Sequence, residues 1–173
     1  SAMKRFPSLA LMSLFALLTG LLRAESLKVG DQAPTLSGVT DTGATLDLGK
    51  TYSQNAYTVV WFYPKALTGG CTKQGCSLRD ADADLKKLGV AVVGVSTDTV
   101  EKQKEFKDKN HFPFPLIADP DKKVIKAFGQ SATMFASREA YLINRAGKII
   151  YKDQGVTDKQ AENILKFLAT QKG

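Results

Sequence analysis

Histidine is nearly missing from this chain: 173 residues contain one, and they contain only two cysteines. Two cysteines and a distant His111 do not make a structural zinc pattern, so no metal and no other cofactor is expected. The cysteines also lack the spacing of thiol–disulfide exchange proteins, which place two residues between them at a helix start; here four residues separate Cys71 from Cys76. Internal repeats and low-complexity tracts are absent. What remains is one globular domain, since 43% hydrophobic and 24% charged residues suffice for an ordinary core.

Acidic residues are missing from positions 1–24, which carry Lys4, Arg5 and Arg23. Lys4-Arg5 precede an uncharged stretch, Phe6 to Leu22, whose apolar centre from Leu9 to Leu18 is too short for a membrane span. Pro7, Ser13, Thr19 and Gly20 also interrupt it. The pattern fits a secretory signal with cleavage after Ala24, and Ser1-Ala2 read as a cloning remnant. Residues 1–24 are therefore expected to be a signal peptide, or a membrane anchor through residues 6–22 if uncleaved, ahead of a domain spanning 25–173. The expected location is export, to the bacterial periplasm. Without the first 24 residues the formal charge falls from +7 to +4. The remaining lysines alternate with acids, as in Glu101-Lys102-Gln103-Lys104-Glu105-Phe106-Lys107-Asp108-Lys109, which reads as a solvated helix face. No nucleic-acid partner is expected.

Both cysteines lie in Tyr63-Pro64-Lys65-Ala66-Leu67-Thr68-Gly69-Gly70-Cys71-Thr72-Lys73-Gln74-Gly75-Cys76. An apolar, β-rich run, 57–63, precedes this stretch and a helix-like segment, Ser77 to Leu88, follows it, so it reads as a strand-loop-helix corner. Cys71 then falls in the first helical turn, where free N–H groups and the positive end of the helix dipole favour a thiolate over a thiol. In an unbroken helix, residues five apart have Cα atoms about 8–9 Å from each other. A disulfide needs less than about 7 Å. Joining Cys71 to Cys76 thus requires the helix start to unwind, and Gly69, Gly70 and Gly75 lower the cost of leaving helical geometry. On this reading Gly75→Ala should stiffen the helix and slow disulfide formation.

The spacing Pro64-x-x-x-Thr68-x-x-Cys71 resembles the active-site signature of the peroxiredoxins. Thr72-Lys73-Gln74 and the second cysteine narrow the likeness to the bacterioferritin comigratory protein, or peroxiredoxin Q, branch. So do Phe114-Pro115-Leu116-Ile117-Ala118-Asp119-Pro120 and Ala127-Phe128-Gly129. The resemblance spans roughly residues 27 to 170. It implies an antioxidant thiol peroxidase that reduces hydrogen peroxide and organic hydroperoxides. Cys71 would be the peroxidatic cysteine, oxidised to a sulfenic acid. Thr68 would orient the peroxide, accepting from it and donating toward sulfur. Pro64 would shield the site and fix the loop. Arg138 would hold the thiolate and polarise the leaving oxygen. Cys76 would resolve the sulfenic acid as an intramolecular disulfide, which thioredoxin or a similar dithiol protein would reduce. The resemblance also implies a monomer, at most a weak dimer. The sequence departs from the family at Gly69, where proline is frequent, and at Ala66-Leu67, where the pair is commonly polar.

A second class stays open: a non-catalytic exported module in which Cys71 and Cys76 form a structural disulfide. Against it, a bridge closing so short a loop constrains the unfolded chain little.

Alternating elements suggest a thioredoxin-like α/β fold with a central mixed sheet flanked by helices. The expected order is a short strand at 44–48, a central strand at 57–63, a helix from about 71 to 88, a buried strand at 91–96 and a helix at 99–109. An extended strand at 116–118, a short helix at 121–128, a hairpin of 139–143 with 148–151, and a helix at 157–170 complete it. Trp61 and Phe62 read as strand core, His111 as a loop residue, and Asp98 as the N-cap of the 99–109 helix without a catalytic role. Met134-Phe135-Ala136, close to Arg138, is a candidate partner surface.

Overall fold

The computed structural model describes residues 25–131, 133–155 and 158–171, so the expected signal or anchor at 1–24 lies outside the described residues. The elements are β1 (Ser37–Thr40), β2 (Thr45–Asp47), α1 (Leu48–Gln54), β3 (Tyr57–Phe62), α2 (Gly69–Asp80), α3 (Asp82–Lys87), β4 (Val90–Ser96), α4 (Val100–Asn110), β5 (Leu116–Ala118), α5 (Lys123–Ala127), β6 (Glu139–Asn144), β7 (Ile149–Gln154) and α6 (Gln160–Thr170). Among the described residues seven strands form one mixed sheet in the order β2-β1-β5-β4-β3-β6-β7. β3 runs parallel to β4 and antiparallel to β6, with Val60 opposite both Val93 and Tyr141.

The centre of the sheet is covered on both faces, which explains the unbroken apolar run Val59-Val60-Trp61-Phe62. Its alternation sorts the core into two layers. Val59, Trp61 and Tyr63 pack with Leu78 of α2, Leu85 of α3, Phe106 of α4 and Ile164 of α6. Val60 and Phe62 face the other way, onto Leu48 and Tyr52 of α1 and Val124 and Ile125 of α5. The mixed sheet between two helical layers is the architecture read from the sequence.

Several boundaries differ for local reasons. Leu48, expected to end a strand, begins α1, because the Asp47 carboxylate accepts the Lys50 N–H at 2.9 Å and starts a helix there. The helix expected over 71–88 starts two residues earlier and breaks at Ala81, whose ψ of 6° leaves the helical range. Asp98 does not cap the next helix: Thr99 does, its hydroxyl accepting the Lys102 N–H at 3.3 Å. His111 closes that helix in the left-handed conformation, with φ 53°.

A buried polar cluster pins the first described residues to the sheet edge. Glu139 accepts hydrogen bonds from Ser26 Oγ at 2.9 Å, Gln154 Nε2 at 3.1 Å and Gln130 Nε2 at 3.2 Å, and from the Tyr141 hydroxyl. Lys152 Nζ lies 3.5 Å from the same carboxylate. Burial pushes the Glu139 carboxyl upward, but the hydrogen bonds from Tyr141, Gln154 and Ser26 and the Lys152 charge outweigh it. The net effect holds the carboxyl below its ordinary value. A depressed carboxyl contributes stability that is present above its unfolded value and lost as pH falls through its folded one. Unfolding midpoints in denaturant should therefore fall more steeply below the ordinary glutamate range of about pH 4.3 for wild type than for Glu139→Gln.

Candidate active site

Three segments converge at the carboxyl end of the parallel strands: the loop after β3, the start of α2, and the residue before β6. Thr68 is the N-cap of α2, extended at φ −92° and ψ 157°, and its carbonyl accepts the Thr72 N–H at 2.9 Å. Cys71 is thereby placed in the first turn of α2 and is completely buried, packed with Tyr63, Ala66, Leu78 and Phe112. Cys71 and Cys76 are both free thiols. α2 is continuous through both, so their Cα atoms are about 8–9 Å apart, beyond disulfide reach.

Arg138 reaches this sulfur. Its Nη2 donates to Cys71 Sγ at 3.5 Å while Nη1 donates to Gln74 Oε1 at 2.9 Å, so the guanidinium fork spans one turn of α2. Gly70 leaves room for the fork: a methyl group there would lie 3.1 Å from Nη2 and press on it. The Arg138 carbonyl accepts the Gly155 N–H at 2.9 Å, which fixes the backbone from β7.

Thr68 is exposed, and its hydroxyl donates to the Lys65 carbonyl at 2.8 Å. In the peroxide-free fold its one proton is directed there, which leaves the oxygen lone pairs free to accept. Pro64 is half-buried at the end of β3. Cys76 is half-buried, its sulfur 4.0 Å from Asn110 Oδ1 on α4. Met134 and Phe135 stand out in solvent just before Arg138, whereas Ala136 is buried in the core.

Two polar chains support these groups and were not assigned such roles from sequence. The first fixes the loop. Asp98 Oδ2 accepts the Ala66 N–H at 2.8 Å and the Ser96 hydroxyl at 2.6 Å, and Gln103 Nε2 donates to Ser96 Oγ at 2.9 Å. Tyr63 closes the chain with its hydroxyl on Gln103 Oε1 at 2.5 Å. Burial pushes the Tyr63 hydroxyl well above its usual range, so it stays a proton donor. The second chain runs from Arg138 through Gln74 to Gln160 of α6. A signal for Gln74 was present: three residues after Cys71, it shares that face of the helix. Asp98 and Gln160 carried none, because each meets its partner only through the tertiary fold.

Gly75 corrects the sequence reading. A methyl group there would lie 2.9 Å from Phe112 Cε1 and closer still to Cζ, so the ring and the helix cannot both keep their places. Gly75→Ala should destabilise the fold by about 1–3 kcal/mol through overpacking, exceeding the helix-propensity gain of about 1 kcal/mol. Denaturant unfolding checks the first effect. Disulfide formation should become faster, since the clash acts only on the wound helix; a slower rate would restore the stiffening argument.

The model of the AhpC/TSA family matches residues 29–152. This chain belongs to the AhpC/TSA family, in the Bcp/peroxiredoxin Q branch of the peroxiredoxins. Membership makes it a thiol peroxidase. It is 46% identical over 151 residues to Peroxiredoxin Bcp of Escherichia coli, covering 82% of this chain and 96% of the relative. Against the chloroplastic Peroxiredoxin Q of Populus jackii it is 35% identical over 144 residues, covering 80% of this chain and 67% of the relative. It spans 65% of a rice peroxiredoxin Q. Among solved structures, Peroxidoxin BcpB of Mycobacterium tuberculosis superposes with a TM-score of 0.79 at 28% identity, over 85% of this chain and 99% of that one. A Cys-to-Ser mutant of Xylella fastidiosa PrxQ superposes with a TM-score of 0.78 at 25% identity, over 86% and 99%. The neighbours carry the thioredoxin-like peroxiredoxin fold, as the sequence led one to expect.

Proposed function

We propose that this protein reduces hydrogen peroxide and organic hydroperoxides with Cys71, resolves the product with Cys76, and is recycled by thioredoxin or a similar dithiol protein. The observation that carries the reading is the Arg138 Nη2 donor on the buried Cys71 sulfur at the start of α2. The guanidinium and the N-terminal end of α2 both present positive charge to the sulfur that attacks. The half-buried or exposed rim of Pro64, Thr68, Gly70 and Arg138 marks the approach to it.

The thiolate attacks the distal peroxide oxygen and forms an S–O bond as the O–O bond breaks. The alkoxide or hydroxide takes a proton and leaves as alcohol or water, and Cys71 becomes a sulfenic acid. Thr68 accepts the peroxide O–H and so aligns it, while Arg138 stabilises the charge that develops on the leaving oxygen. α2 then unwinds, Cys76 attacks the sulfenic sulfur, and water departs to leave the Cys71–Cys76 disulfide. A dithiol protein returns two electrons and two protons through a mixed disulfide.

The test is peroxide consumption by the reduced protein with thioredoxin, its reductase and a nicotinamide reductant. Stoichiometric consumption supports the reading; none, together with insulin reduction, would shift it to a disulfide exchanger. The basic-then-apolar pattern of residues 3–24 supports export as part of the same proposal. N-terminal sequencing of protein from the cell envelope should then read Glu25-Ser26-Leu27, and an intact Met3 would point to the anchor.

A further inference from the structure

The second polar chain continues past the site. Gln74 Nε2 donates to Gln160 Oε1 at 2.5 Å, and Gln160 Nε2 donates to Asp153 Oδ2 at 3.3 Å. Asp153 is itself anchored by the Tyr151 hydroxyl at 2.6 Å. Both glutamines are essentially inaccessible, at 0% and 1% exposure, so each amide group depends on these partners. A second link lies one turn on, where Ser77 Oγ accepts the Ala161 N–H, a free donor of the first turn of α6, at 3.1 Å.

Gln74 lies between the two cysteines. An unwinding of α2 that runs from Cys71 to Cys76 carries Gln74 out of place and breaks its bonds to Gln160 and Arg138 before the disulfide forms. We propose that Gln160 is a positioning residue that latches α2 in its wound form and thereby sets the rate at which the Cys71 sulfenic acid is resolved. The inference rests on the two-cysteine reading above. The bond exists only in the wound state, whereas in the unwound state water solvates the Gln74 amide; removing the acceptor therefore raises the energy of one state alone. A tight latch prolongs the life of the sulfenic acid and exposes it to a second peroxide, which takes it to the sulfinic acid.

The experiment uses the full chain, reduced and then given one equivalent of hydrogen peroxide, with thiols and Cys71 oxidation states read by quenched-flow intact mass. Wild type is measured first: if it loses no pair of thiols to a Cys71–Cys76 disulfide, the two-cysteine reading itself fails. If it does, Gln160→Met should raise the resolution rate about threefold to tenfold, the factor of one net hydrogen bond, and lower the sulfinic fraction in a parallel series with excess peroxide. In a Gln74→Met background, where the donor is already gone, the same substitution should add nothing. A loss of thermal stability without a faster resolution step, or an additive effect in the double variant, would overturn the latch. Should Gln160→Met not fold, Gln160→Asn keeps the amide but draws it back by one methylene. The same faster rate is expected of it, and an unchanged rate counts against the proposal.

Discussion

Cys71→Ser should abolish peroxide turnover, and Cys76→Ser, given no more than one equivalent of peroxide, should consume it once per chain without turning over. A serine hydroxyl at the α2 start is not ionised near neutral pH and is a far weaker nucleophile than a thiolate, so the loss should reach the uncatalysed level. Cys76→Ser keeps the Arg138 contact to Cys71, so the first step survives. With no resolving thiol the sulfenic acid persists, and dimedone should add to Cys71 in this variant but little in wild type. Cys76→Ser should stay within about 1 kcal/mol of wild-type stability, since Cys76 is a half-buried free thiol, whereas Cys71→Ser puts a hydroxyl in the core and should lose about 1–3 kcal/mol. A large loss of stability in both variants, with no peroxide consumed by wild type, would instead favour the structural-disulfide module.

The legibility of this chain follows the distance over which its information acts. The corner at 57–71 is local: a β-rich run, a proline and glycine-rich loop and a helix start in direct succession, and the pattern alone places Cys71 in the first turn. The alternation of Val59-Val60-Trp61-Phe62 likewise sorts the two core layers without tertiary information. β1 and α1 were not anticipated, because Ser37-Gly38-Val39-Thr40 is too short and polar to announce a strand and Asp47 reads as strand end or cap equally well.

The supporting groups were less visible for a different reason. Asp98 follows a strand and precedes a helix, so capping is its ordinary role; only the fold brings it to the Ala66 N–H, 32 residues away in sequence. Gln74 and Gln160 are separated by 86 residues, and nothing in either local sequence names the other. Gly75 shows how a local argument can take the wrong sign. Helix propensity predicts a gain from alanine, but the Phe112 ring occupies the place its methyl group needs.

Arg138→Met should lower the second-order rate constant for peroxide reduction by about 10²–10³, the effect of removing one preorganised donor from a developing charge, or about 2.7–4 kcal/mol. Methionine fills the volume, and the Arg138 backbone stays fixed by the Gly155 N–H, so the fold is retained and the loss is electrostatic. Arg138→Lys separates charge from geometry. Its single ammonium can serve Cys71 Sγ or Gln74 Oε1 but not both across the turn, where the guanidinium donates to the two at 3.5 and 2.9 Å. Its rate should fall between those of wild type and Arg138→Met. Stopped-flow measurement of the first turnover, with limiting peroxide and no reductant, isolates this step from resolution and recycling. Equal rates for lysine and arginine would mean that charge alone acts on Cys71 and that the fork to Gln74 serves the helix. A methionine variant as fast as wild type would remove Arg138 from the reaction.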